Sequence, residues 1–124
     1  MSERLWYIKH CELFGRLTDD QLDCLEQSAR MRRFPKGASV YLTTDVPDAV
    51  FLLAEGRVKL CSYTADGKEA ILALIEPGEL FGELAIFDDT ERDEHAETLS
   101  DSSIILIPGN EVQRLMAESA DLAL

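Results

Sequence analysis

Between residues 34 and 107 the chain is a series of short apolar runs separated by turn-forming residues, and this punctuation constrains the fold more than any other feature. Runs such as residues 70–75 and 103–107 have the length of buried strands and are too short for core helices. The pattern is therefore typical of a β-roll or β-sandwich. The turn signals are Pro35-Lys36-Gly37, Asp45-Val46-Pro47, Glu55-Gly56, Asp66-Gly67 and Pro77-Gly78.

One pair of runs predicts a β-hairpin. Val58, Leu60 and Ser62 alternate with the residues between them, which is the period of a strand with one buried face. Asp66-Gly67 then supplies the positive φ angles of a tight turn. We expect the chain to return as a second strand over residues 69–75.

Helical signals flank the predicted β-region at its N-terminal side. Residues 5–14 mix large apolar side chains with charges and predict a first short helix, which Gly15 is expected to end. Thr18 and Gln21 have the spacing of a capping box, so a second helix is expected to begin near Thr18. The N-terminal helices therefore occupy about residues 1–30.

A further helix is predicted after the β-region, which should extend over about residues 34–107. Pro108-Gly109 stops the last strand, and Asn110 with Gln113 resembles a second capping box, so the C-terminal helix should start at about residue 110. No glycine or proline stop signal precedes Leu124, from which we expect the natural polypeptide to continue. The apolar stripe of this helix consists of Val112, Leu115 and Met116.

Composition limits the functional classes. The 124 residues suit one domain, 1–124, and the formal net charge of −12 without a basic stripe argues against DNA binding by this segment. The three cysteines, Cys11, Cys24 and Cys61, form no C-x-x-C pair, so reduced thiols in the cytoplasm are expected. No apolar stretch approaches the ~20 residues that cross a bilayer, so no membrane partner is expected.

Residues 77–87, of sequence PGELFGELAIF, are the most informative for chemistry. Gly78 and Gly82 interrupt a strand, and residues 83–87 have the composition of one helical turn. Free backbone N–H groups at such a turn suit a phosphate oxygen, and Gly82 lets a ligand approach the backbone. Glu83 is an acceptor that suits a sugar hydroxyl. A nucleotide carries both groups, although such turns are also common without any ligand.

The order and spacing of these residues resemble the glycine-marked β-roll of the cyclic nucleotide-binding superfamily. The N-terminal segment CELFGRL, residues 11–17, also resembles that of CRP/FNR regulators. The resemblance implies a mainly β, double-stranded β-helix (a jelly-roll-like β-roll) with short flanking α-helices. It further implies an effector-sensing domain of a bacterial cytoplasmic transcription regulator and no enzymatic activity. In that family a DNA-binding domain follows and the full-length protein is a homodimer, and we expect the DNA-binding domain to lie outside residues 1–124. The other residues that carry the resemblance are Gly37, Asp45, Gly56, Asp66-Gly67 and Glu69.

The resemblance also implies residue roles. The family's phosphate-binding cassette corresponds to Gly82, Leu84 and Ala85, whose amides would bind the phosphate, and to Glu83, which would bind the ribose hydroxyl. The family arginine that pairs with the phosphate corresponds to Arg92, whose planar fork suits an anion. The implied effector is a cyclic nucleotide, cAMP or cGMP.

Three positions depart from the family pattern, and one of them is Thr44, which replaces the glycine usual before Asp45. A hydroxyl residue and an alanine usually follow the arginine, whereas this chain has Asp93 and Glu94. Asp93 would then lie in the ligand site, and a carboxylate about 4 Å from a phosphate costs about 1 kcal/mol even in water. Three alternatives stay open here: another ligand, weak cyclic nucleotide binding, or a degenerate roll that serves as a ligand-free interaction or dimerisation module. Arg92 itself is either a phosphate contact or an exposed arginine balanced by its acidic neighbours.

Other sites fit the sequence less well. A metal-dependent cupin enzyme needs clustered histidines, and the chain has only His10 and His95. No nucleophile motif is present, so no catalytic residue is assigned. A redox or haem sensor is a third class, because CRP/FNR relatives include such proteins and His10 adjoins Cys11. The cysteine spacing does not match a cluster-binding set, so no metal ligand is assigned.

Overall fold

A computed structural model describes the backbone of residues 2–122 and begins with two short helices. Helix α1 (Glu3–His10) is followed by a 3-10 turn (Glu12–Phe14) and helix α2 (Asp19–Ser28). The capping box is confirmed: the Gln21 amide donates to Thr18 Oγ1 at 3.2 Å, and the Thr18 amide donates to Gln21 Oε1 at 2.9 Å. The end of the helix predicted over residues 5–14 is wrong. Helix α1 stops before Cys11, and the chain continues as the 3-10 turn.

Within the described residues, eight strands then form two antiparallel four-stranded sheets. One sheet has the order β1-β8-β3-β6 and the other the order β2-β7-β4-β5. This arrangement confirms the mainly β roll, although it starts at Arg30, before the expected residue 34. The strands are β1 (Arg30–Phe34), β2 (Ser39–Tyr41), β3 (Ala49–Glu55), β4 (Val58–Tyr63), β5 (Glu69–Ile75), β6 (Leu80–Phe81), β7 (His95–Thr98) and β8 (Ser102–Pro108).

The predicted hairpin is formed by β4 and β5, with Val58 opposite Ile75 and Tyr63 opposite Glu69. The turn differs from the expectation, because Gly67 alone of the expected pair has a positive φ, of 84°. The Gly67 amide donates to the Thr64 carbonyl at 2.9 Å, and the Thr64 amide donates to the Lys68 carbonyl at 2.9 Å. One left-handed residue is therefore sufficient to close this hairpin.

Two more helices complete the described chain. Helix α3 (Leu84–Phe87) follows β6, and helix α4 (Gly109–Leu122) follows β8 directly. The predicted capping box at Asn110 is wrong, because Asn110 lies inside α4 and the Gln113 side chain donates instead to the Ile86 carbonyl at 2.7 Å. Within residues 2–122 no helix has the length and apolarity to cross a bilayer.

The apolar residues form two layers. One layer lies between the helices and the sheet that contains β3 and β8, and Val112 and Leu115 of α4 belong to it, as the predicted stripe required. The other layer lies between the two sheets and includes Tyr41, Phe51 and Phe81, whose rings are neighbours. This layer between the two sheets packs against the turn that follows β6.

Candidate functional site

The turn between β6 and α3 is held in a conformation that glycine favours. Gly82 has a φ of 73°. A Cβ atom added to it would lie 2.9 Å from Phe51 Cδ2 and 3.1 Å from both Arg92 Nη1 and Tyr41 Cε2. Backbone strain and crowding therefore both require glycine at this position. We call residues 82–85 the cassette turn.

The amides of the cassette turn are available as donors. Glu83 precedes the first residue of α3, and its carbonyl accepts from the Ile86 and Phe87 amides at 3.1 and 3.0 Å. Within residues 2–122, the hydrogen bonds outside regular elements include none donated by the amides of residues 82–85. Those donors suit an acceptor-rich ligand group such as a phosphate.

A cavity of about 240 Å³ lies beside this turn, and we call it the cassette cavity. The structure brings together four of the six predicted site residues in its lining: Gly82, Glu83, Leu84 and Asp93. Ala85 faces a different cavity, of about 470 Å³, next to the start of α4. The remaining lining residues, which the sequence did not assign to the site, are Leu60 of β4, Leu72 of β5 and Glu94.

The lining of the cassette cavity is acidic, since it includes Glu83, Asp93 and Glu94. Burial raises the pKa of Glu94, and the Asp93 carboxyl raises it further, whereas a hydrogen bond from Tyr41 lowers it. The Tyr41 hydroxyl donates to Glu94 Oε1 at 2.6 Å. Burial and the Glu94 carboxylate raise the pKa of Tyr41, which keeps the phenol protonated and able to donate.

Arg92 lies on the other side of the cassette turn. Its Nη1 donates to the Gly82 carbonyl and its Nη2 to the Ala49 carbonyl, both at 2.9 Å. The side chain lies over aromatic rings, with Cζ 4.1 Å from the Tyr41 ring centre and 5.5 Å from that of Phe51. Among the described residues no carboxylate forms a salt bridge with it.

These contacts correct one of the two sequence interpretations of Arg92. It is not an exposed arginine balanced by acids, because only 5% of it is exposed and its partners are carbonyls and rings. The guanidinium does not line the cassette cavity in this structure. Contact between Arg92 and a phosphate stays a prediction, and it requires the side chain to leave the Gly82 and Ala49 carbonyls.

Sequence reasoning did not find Tyr41 as a partner of the site. Tyr41 belongs to a strand of three residues, which carries too little periodicity to show which way its ring points. Glu94 was visible as a departure from the family pattern, but its bond to Tyr41 depends on the pairing of β2 with β7.

The cysteines lie in separate parts of the fold. Cys11 is buried in the helix-side layer, Cys61 is buried in β4, and Cys24 is exposed on α2. Burial raises the pKa of the Cys11 and Cys61 thiols, which disfavours the reactive thiolate. In the described part of the chain, no group of three or more His, Cys, Asp or Glu side chains is placed to hold a metal ion.

Comparison with known proteins assigns the fold and the site to a family. Residues 31–119 match the model of the cyclic nucleotide-binding domain, and this span includes the cassette turn and both sheets from β2 onward. A cyclic AMP receptor protein of Thermus thermophilus is 32% identical over 100 residues, which are 81% of this chain and 46% of that protein. The chain belongs to the cyclic nucleotide-binding domain family, in its CRP/FNR group.

Two further relatives of this CRP/FNR-type domain come from other bacteria. A CRP-like cAMP-activated global transcriptional regulator of Mycobacterium tuberculosis is 27% identical over 90 residues, covering 73% of this chain and 40% of the relative. The sensor domain of the transcriptional regulator DNR from Pseudomonas aeruginosa superposes with a TM-score of 0.89 at 26% identity, covering 95% of this chain and 79% of that one. The CRP/FNR-type domain thus spans less than half the length of the two curated relatives named here.

Proposed function

We propose that this CRP/FNR-type domain is the effector-sensing part of a cytoplasmic, homodimeric transcription regulator, and that its effector binds in the cassette cavity. The observation that carries the proposal is the row of available amides at residues 82–84 beside a cavity of about 240 Å³. Family membership supports the same position for the ligand. DNA binding would belong to a further domain, and the activity proposed for this one is not enzymatic.

The proposed effector is a cyclic nucleotide, cAMP or cGMP. The amides of residues 82–84 would bind the phosphate, Glu83 would accept from the ribose hydroxyl, and the side chains of Leu60 and Leu72 would contact the base. Arg92 would have to turn from the Gly82 carbonyl toward the phosphate. Because that step breaks two charge-assisted hydrogen bonds and a ring contact, we expect weaker affinity than in a site whose arginine already faces the ligand.

The route from the cassette turn to α4 is short. Helix α3 follows the turn directly, and its Ile86 carbonyl accepts from Gln113 of α4 at 2.7 Å. Ile86 also lies against the start of α4, because a Cβ on Gly109 would be 2.7 Å from Ile86 Cδ1. A ligand that moves α3 would therefore shift α4, the last helix of the described chain, and with it the position of a following DNA-binding domain.

A thermodynamic cycle tests the proposal. Calorimetry would compare cAMP with 2′-deoxy-cAMP on the native domain and on Glu83→Ala, with the exposed loop variant Glu91→Ala as control. We expect the native domain and the control to prefer cAMP by about tenfold, and Glu83→Ala to lose most of that preference, since one charged hydrogen bond is worth about 1.5–3 kcal/mol. A flat titration at millimolar cAMP and cGMP would overturn the nucleotide assignment and favour a ligand-free interaction module.

A further inference from the structure

A third cavity, larger than the two already described, opens between the two sheets at the end of the roll where β1 begins. Its volume is about 580 Å³, which is within the range of small-molecule sites. It shares no lining residue with the cassette cavity. We call it the roll-end cavity, and its lining consists of side chains from both sheets and from the loop that follows β2.

The lining of the roll-end cavity is positive in an acidic protein. Arg30, Arg32 and Arg92 line it together with Asp45 and Asp48, which gives three positive and two negative charges. The chain as a whole has a formal net charge of −12. The Asp45 carboxylate is already engaged, because Oδ2 accepts from the Leu42 amide at 2.9 Å. The local excess of one positive charge suits a ligand with a single negative charge.

The burial of Arg92 supports the same conclusion. Its side chain is about nineteen-twentieths buried, since the residue is 5% exposed, and it lines this cavity. A guanidinium has five N–H donors, and the two hydrogen bonds to Gly82 and Ala49 use two of them. A buried cation without a carboxylate partner is costly, and an anion in the cavity would remove that cost.

The remainder of the lining is apolar or aromatic. The apolar lining residues of this cavity include Phe34, Val40, Val46, Phe51 and Leu106. The register places Leu106 of β8 opposite both Arg30 of β1 and Phe51 of β3, so one row across the sheet has a charged group on β1 next to apolar groups on β8 and β3. A ligand that fits must therefore combine an anionic head with an apolar body.

We propose that the roll-end cavity binds a small monocarboxylate with an apolar chain. The carboxylate matches the planar fork of an arginine and carries the single charge that the lining favours. A phosphate dianion would be repelled by Asp45 and Asp48. The two proposed sites draw on one side chain, because the Arg92 guanidinium that lines this cavity would have to turn away from it to contact a phosphate in the cassette cavity.

Octanoate is the probe that tests this site. The domain would be labelled with ¹³C on its Val and Leu methyl groups and titrated with octanoate, with octan-1-ol as the uncharged analogue and acetate as the analogue without a chain. We expect saturable shifts of the Val40, Val46 and Leu106 methyls. Octanol and acetate should each bind at least about tenfold more weakly than octanoate, because octanol lacks the negative charge and acetate lacks the apolar chain. Equal binding of octanoate and octanol would overturn the proposal.

Charge variants on the same protein distinguish the cavity from nonspecific binding. The double variant Arg30→Gln/Arg32→Gln removes two exposed arginines of the lining, and Arg33→Gln/Arg57→Gln removes two exposed arginines elsewhere, with the same change in net charge. Arg33 adjoins Arg32 on β1 but contacts Ser103 and does not line the cavity. We expect about tenfold weaker octanoate binding for the first pair and unchanged binding for the second.

Two further outcomes would overturn the proposal that octanoate binds in the roll-end cavity. Equal losses for the two double variants would show that only overall charge matters and would overturn the site. Octanoate shifts confined to the Leu60, Leu72 and Leu84 methyls would place it in the cassette cavity and would also overturn it. Neither result bears on cyclic nucleotide binding, which is read out with a different ligand.

Discussion

The guanidinium of Arg92 lies over the ring of Tyr41, with its Cζ 4.1 Å from the ring centre. The hydroxyl of the same tyrosine donates to Glu94 at 2.6 Å. Tyr41 thus contacts the cation through its ring and Glu94 through its hydroxyl. Arg92 and Glu94 share this tyrosine and form no salt bridge with each other in the described residues.

Replacement of Arg92 should weaken the fold as well as any ligand site. Arg92→Ala removes the donors to the Gly82 and Ala49 carbonyls and leaves space against Tyr41 and Phe51. We expect a loss of about 2–4 kcal/mol in the free energy of unfolding, measured in urea. The control Arg57→Ala removes an exposed ion pair with Glu76 and should change stability by less than about 1 kcal/mol.

Equal stability of these two variants would contradict the structural position of Arg92. The same reasoning makes Arg92→Ala a poor probe of ligand contact, because lost binding would follow from a damaged cassette turn. The ligand analogue and Glu83→Ala avoid this problem, since Glu83 has an ordinary helical φ of −80° that alanine also adopts.

Gly82→Ala should cost more than a comparable substitution in open space. Gly82 and Gly78 both have positive φ angles, of 73° and 92°. A Cβ at Gly78 meets no atom within 4 Å, whereas one at Gly82 approaches Phe51 at 2.9 Å. Positive φ alone costs about 1–2 kcal/mol, and overpacking adds about 1–3 kcal/mol. Chemical denaturation of both variants measures the difference, and equal losses would show that the turn is not crowded.

Glu94→Gln should stabilise the domain at neutral pH. Burial and Asp93 raise the pKa of Glu94 in the folded state, so folding favours the protonated carboxyl. When the pH rises above the raised pKa, the Glu94 carboxyl ionises in the folded state as well. Its partly buried negative charge then lowers the stability of the domain at neutral pH. Gln keeps the acceptor for Tyr41 and removes the charge.

The pH dependence of the melting temperature checks this prediction. The advantage of Glu94→Gln over the native chain should be largest near neutral pH and should shrink as the pH falls toward the ordinary carboxyl value of 4.5. The exposed Glu91→Gln serves as the control and should show no such trend. An advantage that grows toward acid pH would contradict the raised pKa.

Gln113 should couple the cassette turn to α4. In the native domain we expect saturating cAMP to change hydrogen exchange at α4 amides, because α3 is bonded to α4 through Ile86 and Gln113. Gln113→Ala should reduce that change while cAMP still binds. Arg114→Ala is the matched control, since the ion pairs of Arg114 among the described residues are with Glu111 and Glu118 of its own helix. Equal responses in the two variants would contradict this route.

The parts of the fold that were predicted correctly depend on local signals in the sequence, such as those at Thr18 and Gly67. The Thr18 capping box and the β4–β5 hairpin depend on neighbouring residues, and both are present. The predicted cap at Asn110 failed because tertiary contact decides there: Gln113 finds the Ile86 carbonyl across the fold instead of the start of its own helix.

The part of the candidate site that follows β6 was predictable from the sequence. Gly82, Glu83 and Leu84 line one cavity as expected, Asp93 joins them as the family pattern implied, and Ala85 lines a different cavity. The direction of Arg92 was not predictable, since its contacts with Ala49 and Tyr41 arise from strands 43 and 51 positions away. Long-range pairing of this kind leaves no periodic trace in the sequence.

Amide shifts of the cassette turn test the central claim most directly. A ¹⁵N-labelled domain would be titrated with cAMP and cGMP while the amide signals of residues 82–85 are followed. Saturable downfield shifts of the Gly82, Glu83 and Leu84 amides, as they donate to a phosphate, are the predicted result. Unchanged amides at millimolar nucleotide, or shifts confined to the residues of the roll-end cavity, would contradict the account.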